Sequence, residues 1–256
     1  MKAVVLAGGR GNRLGDLTRA VNKCMLPLKG KPVLEYNLRR AAEIPEVNEI
    51  ILVVGYRAED IINHYGNRYE RVLPELPHPK DYAIPVPIKY VIQREQRGLV
   101  HAIECAKETI GDDDIFLLLG DEVLANSRHA SMIKEFIQGE AFGICGVIFR
   151  KDNLNEISKT YTVSTDAHGT ILRLIEKPKR PLGPLQGTGH CVFRNEILDY
   201  LDRTPIHPER GERELPDLIQ CAIDDGKTVK PFELADDYTN INSEENLKEA
   251  EKLELG

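Results

Sequence analysis

Short, almost continuous apolar runs alternate along the chain with stretches in which apolar residues recur every three or four positions. The first pattern suits strands buried on both faces and the second suits helices with one apolar face. Their alternation predicts βαβ units around a largely parallel sheet, an α/β fold. Residues 1–6 read as a strand entering a glycine-rich loop. Further strands are predicted over 48–54, 88–92, 115–119 and 142–149, with IFLLL at 115–119 the most apolar. Helices are predicted over 32–44, 57–65, 99–110, 131–138, 214–223 and 244–253; proline opens the first, and Ser243 caps the last. Alternation in 161–164 and 171–175 around Asp166-Ala167-His168-Gly169 predicts a hairpin. No repeat or low-complexity linker divides the chain, so one domain over 1–256 is expected. One segment breaks the pattern. Residues 74–87 hold Pro74, Pro77, Pro79, Pro85 and Pro87, which excludes a central strand or helix. A surface loop, a lid or a contact between copies of the chain is expected there.

Composition changes this picture only through charge. The chain carries 34 Lys/Arg against 41 Asp/Glu, a formal net charge of -7. Residues 1–40 hold nine Lys/Arg against Asp16 and Glu35, whereas 209–256 hold 14 acidic residues against six basic ones. An acidic protein with one compact cationic block lacks the broad positive face of a nucleic-acid or anionic-membrane binder; a small, highly charged anion suits it better. The acidic tail reads as an exposed helical exterior. No apolar run approaches a membrane span, and MKAVVLAGGRG is too short and too glycine-rich for a signal-peptide core. The cysteines, at 24, 105, 145, 191 and 221, are odd in number and have no C-x-x-C, which fits reduced thiols and a cytoplasmic setting. No His pair has metal-ligand spacing, so a transition-metal site is not expected.

The chemistry is expected beyond the carboxyl end of the first strand, as in open α/β sheets generally. There the chain reads Leu6-Ala7-Gly8-Gly9-Arg10-Gly11-Asn12-Arg13-Leu14-Gly15. Glycines let backbone N–H groups approach a phosphate, and Arg10, Arg13, Arg19 and Lys23 supply charge beside them. The spacing G-x-G-x-x-x-G with a delayed helix fits neither the dinucleotide fingerprint nor the P-loop, which argues against a nicotinamide-dependent oxidoreductase.

LAGGRGNRLGDLTRAVNKCMLPLKGKP resembles the signature of sugar-1-phosphate nucleotidyltransferases, L-A-G-G-x-G-[ST]-R-L-x-P-L-T-x-x-x-x-K-x-x-x-P. YVIQREQRGLVHAI, FLLLGDE, LIEKP and GTGHCVF resemble later elements of the same family, so the likeness covers nearly the whole chain. The resemblance implies a GT-A-like, Rossmann-type three-layer α/β/α fold with a mixed, mostly parallel sheet. It places nucleotide binding in about 1–125, sugar-phosphate binding in about 126–240, and a helix at 243–253. It implies Mg2+-dependent attack of a sugar-1-phosphate on the α-phosphorus of a nucleoside triphosphate, releasing pyrophosphate. The attacking phosphate is already an anion near neutral pH, so no catalytic triad is needed.

Matched by motif position, Arg13 and Lys23 would be catalytic, acting on the triphosphate and the α-phosphate. Leu6, Ala7, Gly8, Gly9, Gly11, Gln93, Gly98 and Gly120 would bind the nucleotide, with Gln93 on the base edge and Gly98 letting the base lie on backbone. Glu176, Lys177 and Gly189 would bind the sugar phosphate. Asp121 would hold Mg2+. The family's second metal aspartate corresponds to Asn240, with Asn242 a lesser substitute; an amide oxygen can ligate Mg2+ but brings no charge. Of the remaining early cations, Arg10 is a further phosphate candidate, while Lys29, Lys31, Arg39 and Arg40 are expected at the solvated surface. Thr162 stands where many members have glycine, which leaves the acceptor sugar open. The region around Gln93 resembles the thymidylyl/uridylyl branch, so dTTP or UTP is favoured. A cytidylyltransferase for a heptose phosphate or a non-sugar phosphate or phosphonate, and a catalytically silent nucleotide-sugar binder, are the alternatives.

Overall fold

The computed structural model describes residues 1–19, 21–66, 84–150 and 154–255. The chain runs β1 (Lys2–Ala7), β2 (Pro27–Leu28), β3 (Lys31–Pro32), α1 (Val33–Ala42), β4 (Glu49–Val54), α2 (Ala58–Tyr65), β5 (Ile88–Ile92) and α3 (Leu99–Ile110). It continues through β6 (Ile115–Leu119), β7 (Glu122–Ala125), α4 (His129–Gln138), β8 (Gly143–Phe149), β9 (Tyr161–Thr165), β10 (Ile171–Glu176) and β11 (Leu185–Phe193). It closes with α5 (Leu215–Asp224), β12 (Val229–Glu233), β13 (Asp237–Asn240) and α6 (Glu244–Ala250).

The main sheet has the order β10-β9-β11-β6-β1-β4-β5, with β8 pairing β11 and β12 beside that path. β1, β4, β5 and β6 are mutually parallel neighbours, as the apolar runs predict. β11 brings the antiparallel half. Leu185–Gly187 pairs with β9, Cys191–Phe193 pairs with β6, and a register shift between Gly187 and Cys191 joins the two segments. The hairpin of β9 and β10 turns at Asp166–Gly169, where the Asp166 carboxylate accepts from the backbone N–H groups of His168 and Thr170.

Alternating side chains of each central strand enter two cores. Val4 and Leu6 pack against α3 and α5, whereas Ala3, Val5 and Ala7 pack against α1 and α4, giving three layers. A third cluster joins Leu14, Leu26, Leu28, Val33, Val123, Ile241, Ala250 and Leu255. It seats the segment after the glycine loop on the small β7–β13 sheet. The long gap between β1 and α1 therefore holds 3-10 turns at Asn12–Thr18 and Lys23–Met25 and the β2–β3 ladder.

Several expectations shift. The first helix starts at Val33, with Pro32 as its flanking residue, and the last ends at Ala250. Ser243 does cap that last helix, accepting from the Asn246 N–H at 3.2 Å. Residues 74–83, most of the proline-rich segment 74–87, lie outside the described residues. Ile84 and Val86, at its end, pack partly buried against the core that α1 and α4 cover. Arg39 and Arg40 are not merely solvated: Arg39 pairs with fully buried Glu35, and Arg40 donates to the Leu124 carbonyl at 2.7 Å. Lys29 donates to the Leu253 carbonyl at 2.6 Å. Long stems lying on apolar surface let Arg39 and Arg40 reach interior acceptors, whereas Lys29 stays exposed, as expected. Among the described residues no helix is long and apolar enough to cross a membrane.

Candidate active site

From β1 the chain crosses to β4 on one side, while β6 lies on the other, so β1 and β6 flank the point where strand order reverses. A cleft of about 640 Å³ opens beyond their carboxyl ends. Leu6, Ala7, Gly8, Gly9, Gly11, Lys23, Gln93, Gly98 and Asp121 all line it. Distant segments that sequence reading assigned to one nucleotide site thus meet in one concavity.

The loop is built by local bonds. Gly11 has φ +66°, and a Cβ there would stand 3.1 Å from atoms of both Thr18 and Lys23, so glycine is required by conformation and by space. Its carbonyl accepts from the Leu14 N–H at 2.9 Å and from the Thr18 hydroxyl at 3.1 Å. Fully buried Asn22 then aims Lys23 inward. Its amide donates to the carbonyls of Tyr56 and Ala7 and accepts from the Cys24 N–H. Nothing in the spacing of the sequence marks Asn22 as this anchor.

Lys23 ends in an ion pair with Asp121, just past β6. Burial opposes its charge, but the Asp121 carboxylate outweighs that and raises the Lys23 pKa, so the amine is a permanent cation. Arg13 is near enough to oppose that rise, although it does not itself line the cleft. The Arg13 guanidinium donates to Asn242 Oδ1 at 3.0 Å, and Asn242 donates to Asn240 Oδ1 at 2.7 Å. Asn240 is the register partner of Glu122, and the Ile241 N–H donates to the Asp121 carbonyl at 2.9 Å, so the two expected metal residues sit on adjoining backbones. Among the described residues no three His, Cys, Asp or Glu side chains gather as a metal-holding group. One carboxylate and one amide oxygen nevertheless fit the way Mg2+ is held when substrate phosphates and water complete its shell.

Glu122 points the other way, into the core. Burial, and then the charge of Asp121, push its carboxyl up to about 8. Its oxygens accept from the Tyr238 hydroxyl at 2.7 Å and from the Gly189 N–H at 2.9 Å. Gly189 is therefore bonded inside the protein, and a Cβ there would come within 2.1 Å of Leu119. Gly120 is similar: its N–H donates to the Leu6 carbonyl at 2.9 Å, and it packs closely on Leu34.

At the other end, the Gln93 amide donates to the Gly98 carbonyl at 3.1 Å and meets His101 Nδ1 at 3.1 Å. A carbonyl can only accept, so Nε2 faces Gly98 and Oε1 faces the Gly8 backbone, where an added Cβ would lie 2.7 Å away. Gly98 has φ +90°, and the space above it is bordered by Glu212, 3.0 Å from where its Cβ would be. The tail is thus more than an exterior. Glu212 lines the cleft, and burial and neighbouring Glu214 raise its pKa. Lys177 and Arg210 act on both Glu212 and Glu176, so the Glu176–Lys177 pair adjoins the same region without lining the cleft itself. Lys177 holds Glu176 at 3.1 Å, yet burial still pushes the Glu176 carboxyl up to about 7. Thr162 is fully buried, its hydroxyl accepting from the Leu182 N–H at 3.1 Å. Across the mouth, Arg10 donates to Gln96 at 3.2 Å.

Comparison with known proteins follows the same outline. The profile of the family described as Nucleotidyl transferase matches residues 2–240. The chain is 32% identical over 253 residues to the UTP–glucose-1-phosphate uridylyltransferase AglF of Haloferax volcanii, covering 98% of this chain and 96% of that protein. It is 31% identical to the low-salt glycan biosynthesis nucleotidyltransferase Agl11 of the same organism, spanning 66% of that longer protein. It spans only 54% of the bifunctional protein GlmU of Methanocaldococcus jannaschii, at 29% identity. A UDP-glucose pyrophosphorylase solved with UDP-glucose superposes with a TM-score of 0.81 at 21% identity, covering 98% of this chain and 96% of that one. The enzyme of the same name from Acinetobacter baumanii superposes with a TM-score of 0.79 at 22% identity, covering 99% and 95%. These likenesses show the GT-A-like α/β/α fold, and by the match of its sequence over 2–240 the chain belongs to the nucleotidyl transferase family.

Proposed function

We propose that the protein transfers a uridylyl or thymidylyl group from UTP or dTTP to a sugar-1-phosphate, releasing pyrophosphate. The observation that carries this reading is the convergence of glycine loop, Lys23, Asp121 and Gln93 on one cleft at the strand-order reversal. Residues of about 1–125 would hold the nucleotide and 126–240 the acceptor, within one domain. No nucleic acid or membrane surface has a place in it.

The reaction needs two repelling anions aligned and the charge at phosphorus neutralised. Lys23, kept protonated by Asp121, and Arg13, held by Asn242, supply fixed cations, while backbone N–H groups at Gly8, Gly9 and Gly11 approach the phosphates. Asp121 and Asn240 would hold Mg2+, which when bound screens the phosphate oxygens. Gln93 Oε1, which lies beside Gly8, would accept from the N3–H of uracil or thymine, whereas cytosine offers a bare N3 there. Glu176 and Lys177 would take the acceptor hydroxyls and phosphate. The relatives support the sugar-1-phosphate class, since AglF acts on glucose-1-phosphate with UTP by its name.

Pyrophosphate release is the test, measured over UTP, dTTP, CTP, GTP and ATP against glucose-1-phosphate and other sugar phosphates with Mg2+. Turnover with UTP or dTTP is expected. Turnover with CTP alone would overturn the base assignment, and binding without any turnover would leave a silent nucleotide-sugar binder.

A further inference from the structure

The side-chain amide of Gln93 is held from behind by the first turn of α3. Its backbone is anchored on both sides: the Gln93 N–H donates to the Val54 carbonyl at 2.7 Å, and the Gln93 carbonyl accepts from the Gln96 amide at 3.2 Å. The side-chain Nε2 then meets two groups, the Gly98 carbonyl at 3.1 Å and His101 Nδ1 at 3.1 Å. The Gly98 carbonyl also accepts from the Ala102 N–H at 3.3 Å, so it cannot turn away without breaking the start of the helix. An amide nitrogen has two protons. One goes to Gly98, whose carbonyl can only accept, and the other goes to His101. Nδ1 is then the bare nitrogen of the ring, and Nε2 carries the ring proton. Cys105, one turn further along α3, stands with Sγ 3.7 Å from Nε2 and can accept that proton. Arg97 also reaches Nε2, at 2.8 Å, but can only donate. Its side chain is 64% exposed, with Glu95 at 3.4 Å, so Arg97 is the partner free to turn to water, whereas Gln93 is buried.

We infer that His101 is a positioning residue for base selection: its bare Nδ1 takes the second Gln93 proton, leaves Oε1 as the amide's one polar atom for a ligand, and so admits a pyrimidine with N3–H over cytosine. Oε1 stands on the Gly8 side, in the cleft that Gly8 and Gln93 both line. His101 does not line that cleft and acts through Gln93. The opposite arrangement has a definite cost. A flipped amide would offer Nε2 to the bare N3 of cytosine, but it would set Oε1 against the Gly98 carbonyl and require the ring proton on Nδ1. The inference deepens the proposed reaction and rests on its placement of the base at Gln93.

Calorimetric titration of the protein with UTP and with CTP, each with Mg2+, tests this without turnover. Wild type is expected to bind UTP at least about 10-fold more tightly than CTP. His101→Leu removes the acceptor and is expected to lower that ratio about 5- to 10-fold, a change in preference that general loosening of the fold would not produce. His101→Asn returns an acceptor close to the Nδ1 position and is expected to restore the ratio to within about 2-fold of wild type. An unchanged ratio in His101→Leu would overturn the positioning role, and equal binding of UTP and CTP by wild type would overturn the base reading beneath it. The ring proton is read separately by 15N NMR of the wild-type histidines, with the proton expected on Nε2 of His101. A proton on Nδ1 would refute the inference even if UTP is the substrate. Preference for UTP, lost in His101→Leu, with no pyrophosphate release on any sugar phosphate would instead sink the reaction and keep the inference.

Discussion

Glu176→Gln tests both the energetics and the chemistry of the acceptor side. Glu176 ends β10 beside Lys177, Glu214 and Arg210, and burial is the largest influence on it, pushing its carboxyl from 4.5 up to about 7. Because the folded pKa lies above the unfolded one, the folded protein holds the extra proton between about pH 4.5 and 7. Stability therefore falls as pH rises through that window and levels off above it. At 1.36 kcal/mol for each tenfold change in proton affinity, keeping the carboxylate ionised costs the fold about 3 kcal/mol at pH 8. The amide resembles the protonated acid, so Glu176→Gln is expected to match wild type near pH 4.5 and to exceed it by up to about 3 kcal/mol at pH 8. Urea unfolding at pH 5, 6, 7 and 8 measures the difference. The chemistry runs the other way. About a tenth of Glu176 is ionised at pH 6 and about nine tenths at pH 8, so kcat/KM for the acceptor should rise nearly tenfold across that interval if the carboxylate receives sugar hydroxyls. That rise should vanish in the variant. A constant stability gap from pH 5 to 8 would refute the burial argument. An acceptor profile identical to wild type would refute the role in binding.

Arg13→Ala is expected to lower kcat at least about 100-fold while KM for the nucleotide changes less, read from steady-state pyrophosphate release; an unchanged kcat would remove Arg13 from the transition state. Lys23→Met leaves Asp121 buried without its cation and should destabilise the fold by about 3 kcal/mol, and Asp121→Asn in the same chain should recover stability without activity. Gly189→Ala forces a Cβ against Leu119 and should cost about 2–3 kcal/mol in chemical unfolding; an unperturbed midpoint would show that β11 can yield there.

Much of the site is local in sequence and so was legible there. A glycine loop after a buried strand, Lys23 at fixed spacing from it, and Asp121 at the end of the most apolar strand all follow from short windows. Lys23, Asp121 and the loop glycines at 8, 9 and 11 line one cleft in the structure, whereas Arg13, Gly120, Glu176, Lys177, Gly189 and Asn240 do not. Two strands are harder to read. β11 is legible only as a motif, because it changes partner midway and its Thr188–His190 segment interrupts the apolar run with buried polar residues. β12 contains Pro231, acceptable only because it pairs on one side, with β8. Asn22, Glu122, Tyr238 and Glu212 carry no spacing signal. Each acquires its role from a partner 34 or more positions away, as Asn22 does from Tyr56.

Short windows of sequence suffice for the alternation of strands and helices, the glycine-rich loop and the cations beside it. Backbone conformation and apolar periodicity are fixed by neighbours along the chain. Tertiary contacts alone set which amide faces Arg13 and how an acidic tail comes to border the cleft through Glu212. Those outcomes depend on hydrogen-bond donors and acceptors being matched inside a core, and the partners in that matching come from strands and loops that meet only when the sheet is assembled.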